Sequence, residues 1–366
     1  MLADDIALTM QPEVGARTAI HLIECFGSAE AVFRASAAEL VDVARLRRAV
    51  AEALVQCRYH AQAEQELAFC AQHHIRVLAS DDPAYPALLR ECPDYPHVLY
   101  VMGGIDLNHP RMLSVVGTRD ATAYGLKMCD SLIGELGALF PDLVVVSGLA
   151  YGIDVAAHRA ALQCGLPTVG VVAHPLNRIY PPRHTDVARE MARRGGAVVS
   201  EFHTGCRPDR SGFVQRNRII AGLSMGTLVV ESAARGGSLI TAEMAGGYHR
   251  EVMAVPGRVG DRCSEGANGL IRSNAAAMVC SGADIAAVLG WKAVPAEGAA
   301  TQPTLFDVRT EGERRVLDAL DADRPMLPEE VAERSGIALN ELPELLLTLE
   351  FAGLVRALPG RLYRKY

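Results

Sequence analysis

Three short segments of this 366-residue chain combine glycine, hydroxyl side chains and arginine in the way a phosphate-holding turn requires. They are Gly117-Thr118-Arg119, Ser147-Gly148-Leu149-Ala150-Tyr151-Gly152 and Glu231-Ser232-Ala233-Ala234-Arg235-Gly236-Gly237-Ser238. Each lies between an apolar, strand-like run and a helical stretch, so each would present free backbone N–H groups at the positive end of a helix. Taken singly, such a glycine turn is most simply a tight strand-to-helix connection. Three of them on one sheet edge, with Arg119 and Arg235 embedded, make an anion pocket whose natural occupant is phosphate. None spells Gly-x-Gly-x-x-Gly, so a dinucleotide is disfavoured and no cofactor is expected.

A fourth segment, residues 206–220, sets Arg207, Arg210, Arg216 and Arg218 against the single acid Asp209, a local excess of +3 in a chain whose formal charge is −7. Phe213 sits among these arginines and Asn217 adds an amide. A guanidinium forks onto phosphate oxygens, and an aromatic face stacks on an unpaired base whatever its identity. Placed on a strand end, this segment would be a footprint for single-stranded nucleic acid; alone, it would read as a buried phenylalanine between solvated arginines. The candidate binding residues are Gly117, Thr118, Arg119, Ser147, Gly148, Arg210, Phe213, Arg216, Asn217, Arg218, Gly236, Gly237 and Ser238.

Other chemistry is absent or unsupported. Only Lys127, Lys292 and Lys365 are lysine among the 36 basic residues, and none follows a glycine, which rules out a P-loop. Asp154 and His158 share a helical face at i,i+4 and could form an acid–base pair or a structural hydrogen bond, but no third member is identifiable. Catalysis is not demanded, and the chain is expected not to be an enzyme. The nine cysteines include no Cys-x-x-Cys pair, and His73-His74 lacks a spaced ligand set, so no metal is expected. The opening MLADDIALTM lacks a secretory pattern, and the longest apolar stretch, 161–173, contains Gln163 and Pro167. Cytoplasmic residence, with no membrane association, is the expectation.

The elements that would position these residues follow from periodicity. Residues 1–75 have helical spacing, with Ser28 as a cap and one long helix expected over 46–72, where proline and glycine are absent. This small module resembles a SAM or helix-hairpin-helix domain, serving either for packing or for contact with a DNA backbone. Proline pairs over 82–96 predict an extended connector. Between 98 and 287, apolar runs at 112–116, 143–146, 168–173, 197–200, 226–230 and 252–255 alternate with helical stretches such as 125–140 and 153–164. That alternation predicts an α/β fold, a Rossmann-like, doubly wound and mostly parallel sheet over 76–292. Residues 293–310 form a linker, and 311–366 show three helices and a hairpin around Pro359-Gly360, the winged-helix pattern. Its helix over 339–350 carries Glu341, Glu344 and Glu350 and no base, which favours protein docking over duplex reading.

Residues 116–125, 147–158, 213–224 and 236–245, taken in order, resemble the bacterial DNA-processing protein A family (DprA, also called Smf). The resemblance implies a Rossmann-like domain that binds single-stranded DNA without catalysis. It also implies a homodimer that loads the RecA recombinase onto incoming strands in natural transformation. By motif position, Arg119, Arg210 and Phe213 fall where the family contacts phosphates and a base, Arg210 standing where some relatives carry lysine. Gly117, Ser147, Gly148 and Gly236 to Ser238 would form its phosphate-holding turns, and the flanking domains look like additions seen in some members. A nucleoside-monophosphate phosphoribohydrolase of the same superfamily is the alternative, because Gly236-Gly237 and Glu243 have its spacing. Leu239-Ile240 stands where those enzymes need Gly-Thr, which removes flexible backbone beside a sugar phosphate.

Overall fold

A computed structural model describes residues 2–207, 210–292, 310–321, 324–351, 354–358 and 360–365, apart from the side chains of Arg210 and Phe351. The chain divides into two compact units, Met1–Val294 and Pro295–Tyr366. The first is built on a sheet of nine strands: β1 (Ile75–Ala79), β2 (Val98–Gly103), β3 (Met112–Val116), β4 (Val144–Ser147), β5 (Thr168–Val171), β6 (Ala197–Ser200), β7 (Gly226–Val229), β8 (Glu251–Ala254) and β9 (Ala277–Met278). Their spatial order is β1-β2-β6-β5-β4-β3-β7-β8-β9. The seven strands from β6 to β9 in that order are parallel, while β2 pairs antiparallel with both β1 and β6.

The expected parallel strands therefore form, and the reason is visible in β3, all of whose residues are buried. Leu113 and Val115 face a core shared with Cys129 and Leu132 of the helix Ala123–Leu139 and Ala157 of the helix Ile153–Gln163. Met112 and Val116 face the opposite core, with Ile219 and Ile220 of the helix Arg210–Gly222. Helices on both faces are what a continuous apolar run in a parallel strand requires. The odd member, Ser114, donates its hydroxyl to the Ile220 carbonyl at 2.6 Å and accepts from the Ser224 hydroxyl at 2.7 Å. It pins the end of Arg210–Gly222 to the central strand.

The chain steps outward from β3 through β4 and β5 to β6, and Arg210–Gly222 then carries it back to β7 on the other side of β3. This reversal opens a crevice between the carboxyl ends of β3 and β7, where ligands of doubly wound sheets bind.

Several expectations are corrected. The residues from 206 to 220 do not extend from a strand end: Arg210–Gly222 is a helix, so Phe213 lies in its first turn. The single helix expected over 46–72 is two, Arg48–Val55 and His60–Gln72, separated at Cys57, whose φ is +48°. The two halves answer to different cores. Val50, Ala51 and Leu54 pack with the helices Ala16–Phe26, Ala29–Arg34 and Ala37–Asp42, whereas Ala63 and Cys70 pack towards Tyr100 and Val198 of the sheet. The connector over 82–96 contains a short helix, Ala87–Arg90. Ser28 caps the next helix as expected, accepting from Ala31 N–H at 3.1 Å.

The N-terminal helices, read as a module of their own over 1–75, belong to the same compact unit as the sheet. Asp5 of the helix Leu2–Thr9 pairs with His97 at 2.8 Å, and Glu66 accepts the Thr204 N–H at 3.0 Å. The linker expected over 293–310 lies outside the described residues except for Thr310, which caps the helix Glu311–Ala319. The second unit holds the helices Glu311–Ala319, Pro328–Ser335 and Leu342–Phe351 and the hairpin β10 (Val355–Leu358) and β11 (Leu362–Lys365), with a bridge from Met326 to Tyr363. This is the winged-helix order; Pro359 of the turn is outside the described residues.

His158 shows how the sheet holds polar groups. It is fully buried; its Nδ1 lies 2.7 Å from the Thr168 hydroxyl, which donates to the Val145 carbonyl at 2.7 Å. The hydroxyl proton is thus committed, so the imidazole donates from Nδ1 and leaves Nε2, which has no partner, unprotonated. Burial, reinforced by the neighbouring His184 and Arg216, pushes its pKa down to about 3 from 6.5. The native state then binds this proton more weakly than the unfolded chain. Its contribution is intact above pH 6.5 and is lost by about 1.4 kcal/mol per pH unit on acidification towards pH 3. Urea unfolding between pH 7 and pH 5 is expected to show this loss, and His158→Gln to flatten it; an unchanged slope in the variant would refute the assignment.

Candidate nucleic-acid interface

The crevice at the switch point is a cleft of about 280 Å³. Its walls are the 117–119 loop after β3, the first turns of Arg210–Gly222, and the 232–238 turn after β7. Backbone bonds lock these pieces together: Thr118 N–H donates to the Glu231 carbonyl at 2.7 Å and Ile153 N–H to the Thr118 carbonyl at 3.2 Å. Gly152 makes the second bond feasible, because its φ is +75° and a Cβ there would strike the Thr118 carbonyl oxygen.

The structure brings the three predicted turns to one edge but leaves only one helix N-terminus open to an outside anion. After β3, the Glu231 carboxylate accepts the Thr122 N–H at 2.9 Å and the Thr122 hydroxyl at 2.6 Å, so an internal acid fills the end of Ala123–Leu139. After β4, buried Asp154 occupies the first turn of Ile153–Gln163. Burial raises its carboxyl pKa, against which the Arg216 guanidinium and the Ala150 N–H act. Ser147 is also buried and gives its hydroxyl to the Val115 carbonyl at 2.6 Å. After β7, by contrast, Gly236 carries no side-chain cap on the helix Gly237–Gly247. Ser238 turns its hydroxyl inward to Ser232 at 2.9 Å, and a Cβ at Gly237 would meet nothing within 4 Å. Packing does not require glycine there, and its bare backbone leaves the N–H groups of the turn open to approach.

The arginines divide in the same way. Arg216 and Arg218 are buried, at 3% and 4% exposure. Arg216 Nη1 donates to the Gly148 carbonyl at 2.5 Å and to the Val171 carbonyl, and burial, opposed by Asp154, takes its pKa down to about 10. Gly148 has no room for a side chain, because Arg216 and Asp154 converge where a Cβ would stand. Arg218 pairs with Glu201 at 2.5 Å. Both were expected to grip phosphate, and both are instead committed to internal acceptors. The side chain of Arg210 lies outside the described residues.

At the rim stand Arg119 and Arg235, both exposed. The Arg119 guanidinium lies 5.5 Å from the centroid of the half-buried Phe213 ring, a cation–π contact. Asn217, one helical turn on from Phe213, donates to the Gly237 carbonyl at 3.4 Å and links the helix to the open turn. Asp154 and His158 bond to different partners, so no acid–base pair forms. Among the described residues no three metal-ligating side chains cluster. Glu243 is exposed and does not line the cleft.

Sequence reasoning missed Tyr151 and Tyr180. Both are exposed, and with Arg119 and Phe213 they border a second hollow of about 50 Å³. Tyr151 stood inside the quoted turn, and Tyr180 follows Arg178 in a polar, proline-rich loop; either could have been flagged as an aromatic beside cations.

Residues 76–290 match the model of DNA recombination-mediator protein A, and 294–361 match that of the DprA winged helix domain. Protein Smf of Escherichia coli (strain K12) is 37% identical over 305 residues, which is 81% of this chain and 79% of that protein. The DNA processing protein DprA of Streptococcus pneumoniae (strain ATCC BAA-255 / R6) is 40% identical over 206 residues, 56% of this chain and 71% of that one. The X-ray structure of DprA from Streptococcus pneumoniae is similar with a TM-score of 0.68 and 32% identity, covering 78% of this chain and 98% of that one. A structure of DprA from Helicobacter pylori, concerned with its single-stranded DNA binding mode, is similar with a TM-score of 0.54 and 26% identity, covering 61% and 99%. Matched across its sheet domain and its winged helix alike, the chain belongs to the DNA processing protein A (DprA/Smf) family.

Proposed function

We propose that this protein binds single-stranded DNA along the carboxyl edge of its sheet, without catalysis. The observation that carries the reading is Arg119 held against Phe213 at the mouth of a cleft whose far wall is the uncapped helix end at Gly236. A phosphate takes the free N–H groups of that turn, Arg119 and Arg235 take neighbouring phosphates, and Phe213 takes the face of a base. The net charge of −7 leaves no global attraction for polyanions, so binding depends on these local groups. The binding mode studied in the Helicobacter pylori relative supports the choice of ligand.

Family membership supports the finer part of the reading: a cytoplasmic homodimer that hands the bound strand to the RecA recombinase during natural transformation. The phosphoribohydrolase alternative has no support from the cleft, since its acid, Glu243, lies outside the lining. Accordingly, no base release is expected from nucleoside monophosphates.

Arg119→Ala is expected to weaken binding to oligo-dT and to lower the slope of log K against log salt by about one. Fluorescence anisotropy at several salt concentrations measures both, and an unchanged affinity would overturn the site. Phe213→Ala is expected to cost about 1–3 kcal/mol on oligomers of any base composition. A loss confined to one composition would replace stacking with base-edge reading.

A further inference from the structure

We propose that Tyr180, flanked by Arg178 and Arg183, is a second base-stacking station that sets the preference of this edge for unpaired strands. The inference rests on the single-stranded DNA reading and adds to it a residue set on a different element, the loop after β5. Tyr180 is 54% exposed, and both flanking arginines are exposed. Cation, aromatic and cation thus stand close together in the loop, ready to take a base and its neighbouring phosphates.

The loop is held in place from beneath. Buried His174 accepts the Tyr180 N–H at Nε2, 3.1 Å away, and donates from Nδ1 to the Pro175 carbonyl at 2.9 Å. The Ser200 hydroxyl of β6 donates to the His174 carbonyl at 2.7 Å. Arg178 reaches the Cys206 carbonyl at 3.5 Å, on the segment that leads to the Phe213 helix. An aromatic fixed in this way loses little freedom when a base lands on it.

The geometry between the stations carries the selectivity. The Tyr180 and Phe213 ring centroids are 6.1 Å apart and their planes are inclined by 62°. Successive bases in one strand of a duplex are stacked in parallel, about 3.4 Å apart. Two bases lying flat on these rings cannot be stacked on each other, so they must already be unpaired and splayed. Arg119, which borders the same hollow as both rings, lies within reach of the phosphate joining them.

The test is anisotropy with wild type, Tyr180→Ala, Tyr180→Phe and Arg119→Ala on three ligands: a dT oligomer, an abasic oligomer of equal length, and a duplex. Tyr180→Ala is expected to bind dT about five- to a hundred-fold more weakly, to match wild type on the abasic strand, and to show a smaller single-strand preference. Tyr180→Phe is expected to behave as wild type, because stacking needs only the ring. Undiminished dT binding by Tyr180→Ala, or an equal loss on the abasic strand, would overturn the station. If wild type binds dT and only Arg119→Ala weakens it, this inference alone falls. If wild type fails to bind dT, the underlying reading falls with it.

Discussion

The buried Arg216 guanidinium is the interaction on which the carboxyl edge depends. It ties the Arg210–Gly222 helix to the Gly148 carbonyl beyond β4 and to the Val171 carbonyl of β5, with the Asp154 charge beside it. An arginine so fully enclosed is tolerable only because both carbonyls and a carboxylate meet it; removing one partner of such a set typically costs about 3–5 kcal/mol. Phe213 lies one turn before Arg216 on the same helix, so the position of the aromatic at the rim follows from the anchoring of the arginine beneath. Ser114, holding the other end of the helix to β3, completes the fixation.

From this follows a separation of charges by role. Glu231, Asp154 and Arg216 are buried and satisfy backbone groups or one another, buried Arg218 pairs with Glu201, and Arg119 and Arg235 remain at the surface. The interior set builds the turns; the exposed set and the open Gly236 turn face the cleft. A cleft edge made only of exposed arginines would lack a fixed shape, and one made only of buried ions would have nothing to offer a phosphate. On the proposed reading, base-independent stacking and backbone contacts would supply the affinity, and such an edge would take strands of any sequence.

What the sequence made legible was the part governed by local rules. Strands buried on both faces announce themselves as apolar runs, and β3 to β8 fell where those runs lie. The glycine turns and the arginine-aromatic segment also fell beside one cleft at the carboxyl edge of the sheet. Burial of individual arginines was not legible: Arg216 and Arg218 look like Arg119 in one dimension, and only the crossover of the helix turns them inward. The helix break at Cys57 was equally hidden, since no glycine or proline marks it and the cause is competition between two cores. β1 and β2 escaped because proline-rich flanks masked an antiparallel margin whose pairing depends on distant β6. Tyr180 escaped because the ring it lies beside, 6.1 Å away, belongs to a residue 33 positions further along the chain.

The N-terminal helices acquire a mechanical meaning in the same framework. Glu66 of the helix His60–Gln72 is buried, and its carboxylate accepts both the N–H and the hydroxyl of Thr204, in the segment between β6 and the Phe213 helix. That segment also carries bonds from Cys206 N–H to the His203 carbonyl at 3.0 Å, from Gly205 N–H to His203 Nδ1 at 3.2 Å and from Arg178 to the Cys206 carbonyl at 3.5 Å. A carboxylate supplied from some 140 residues earlier in the chain therefore braces the path into the helix that carries Phe213 and Arg216. The helical region need not touch DNA to matter for DNA. By fixing the approach to the helix from one side while Arg216 and Ser114 fix its body from the other, it limits the freedom of the rim, and a rigid rim is what allows weak, base-independent contacts to add up.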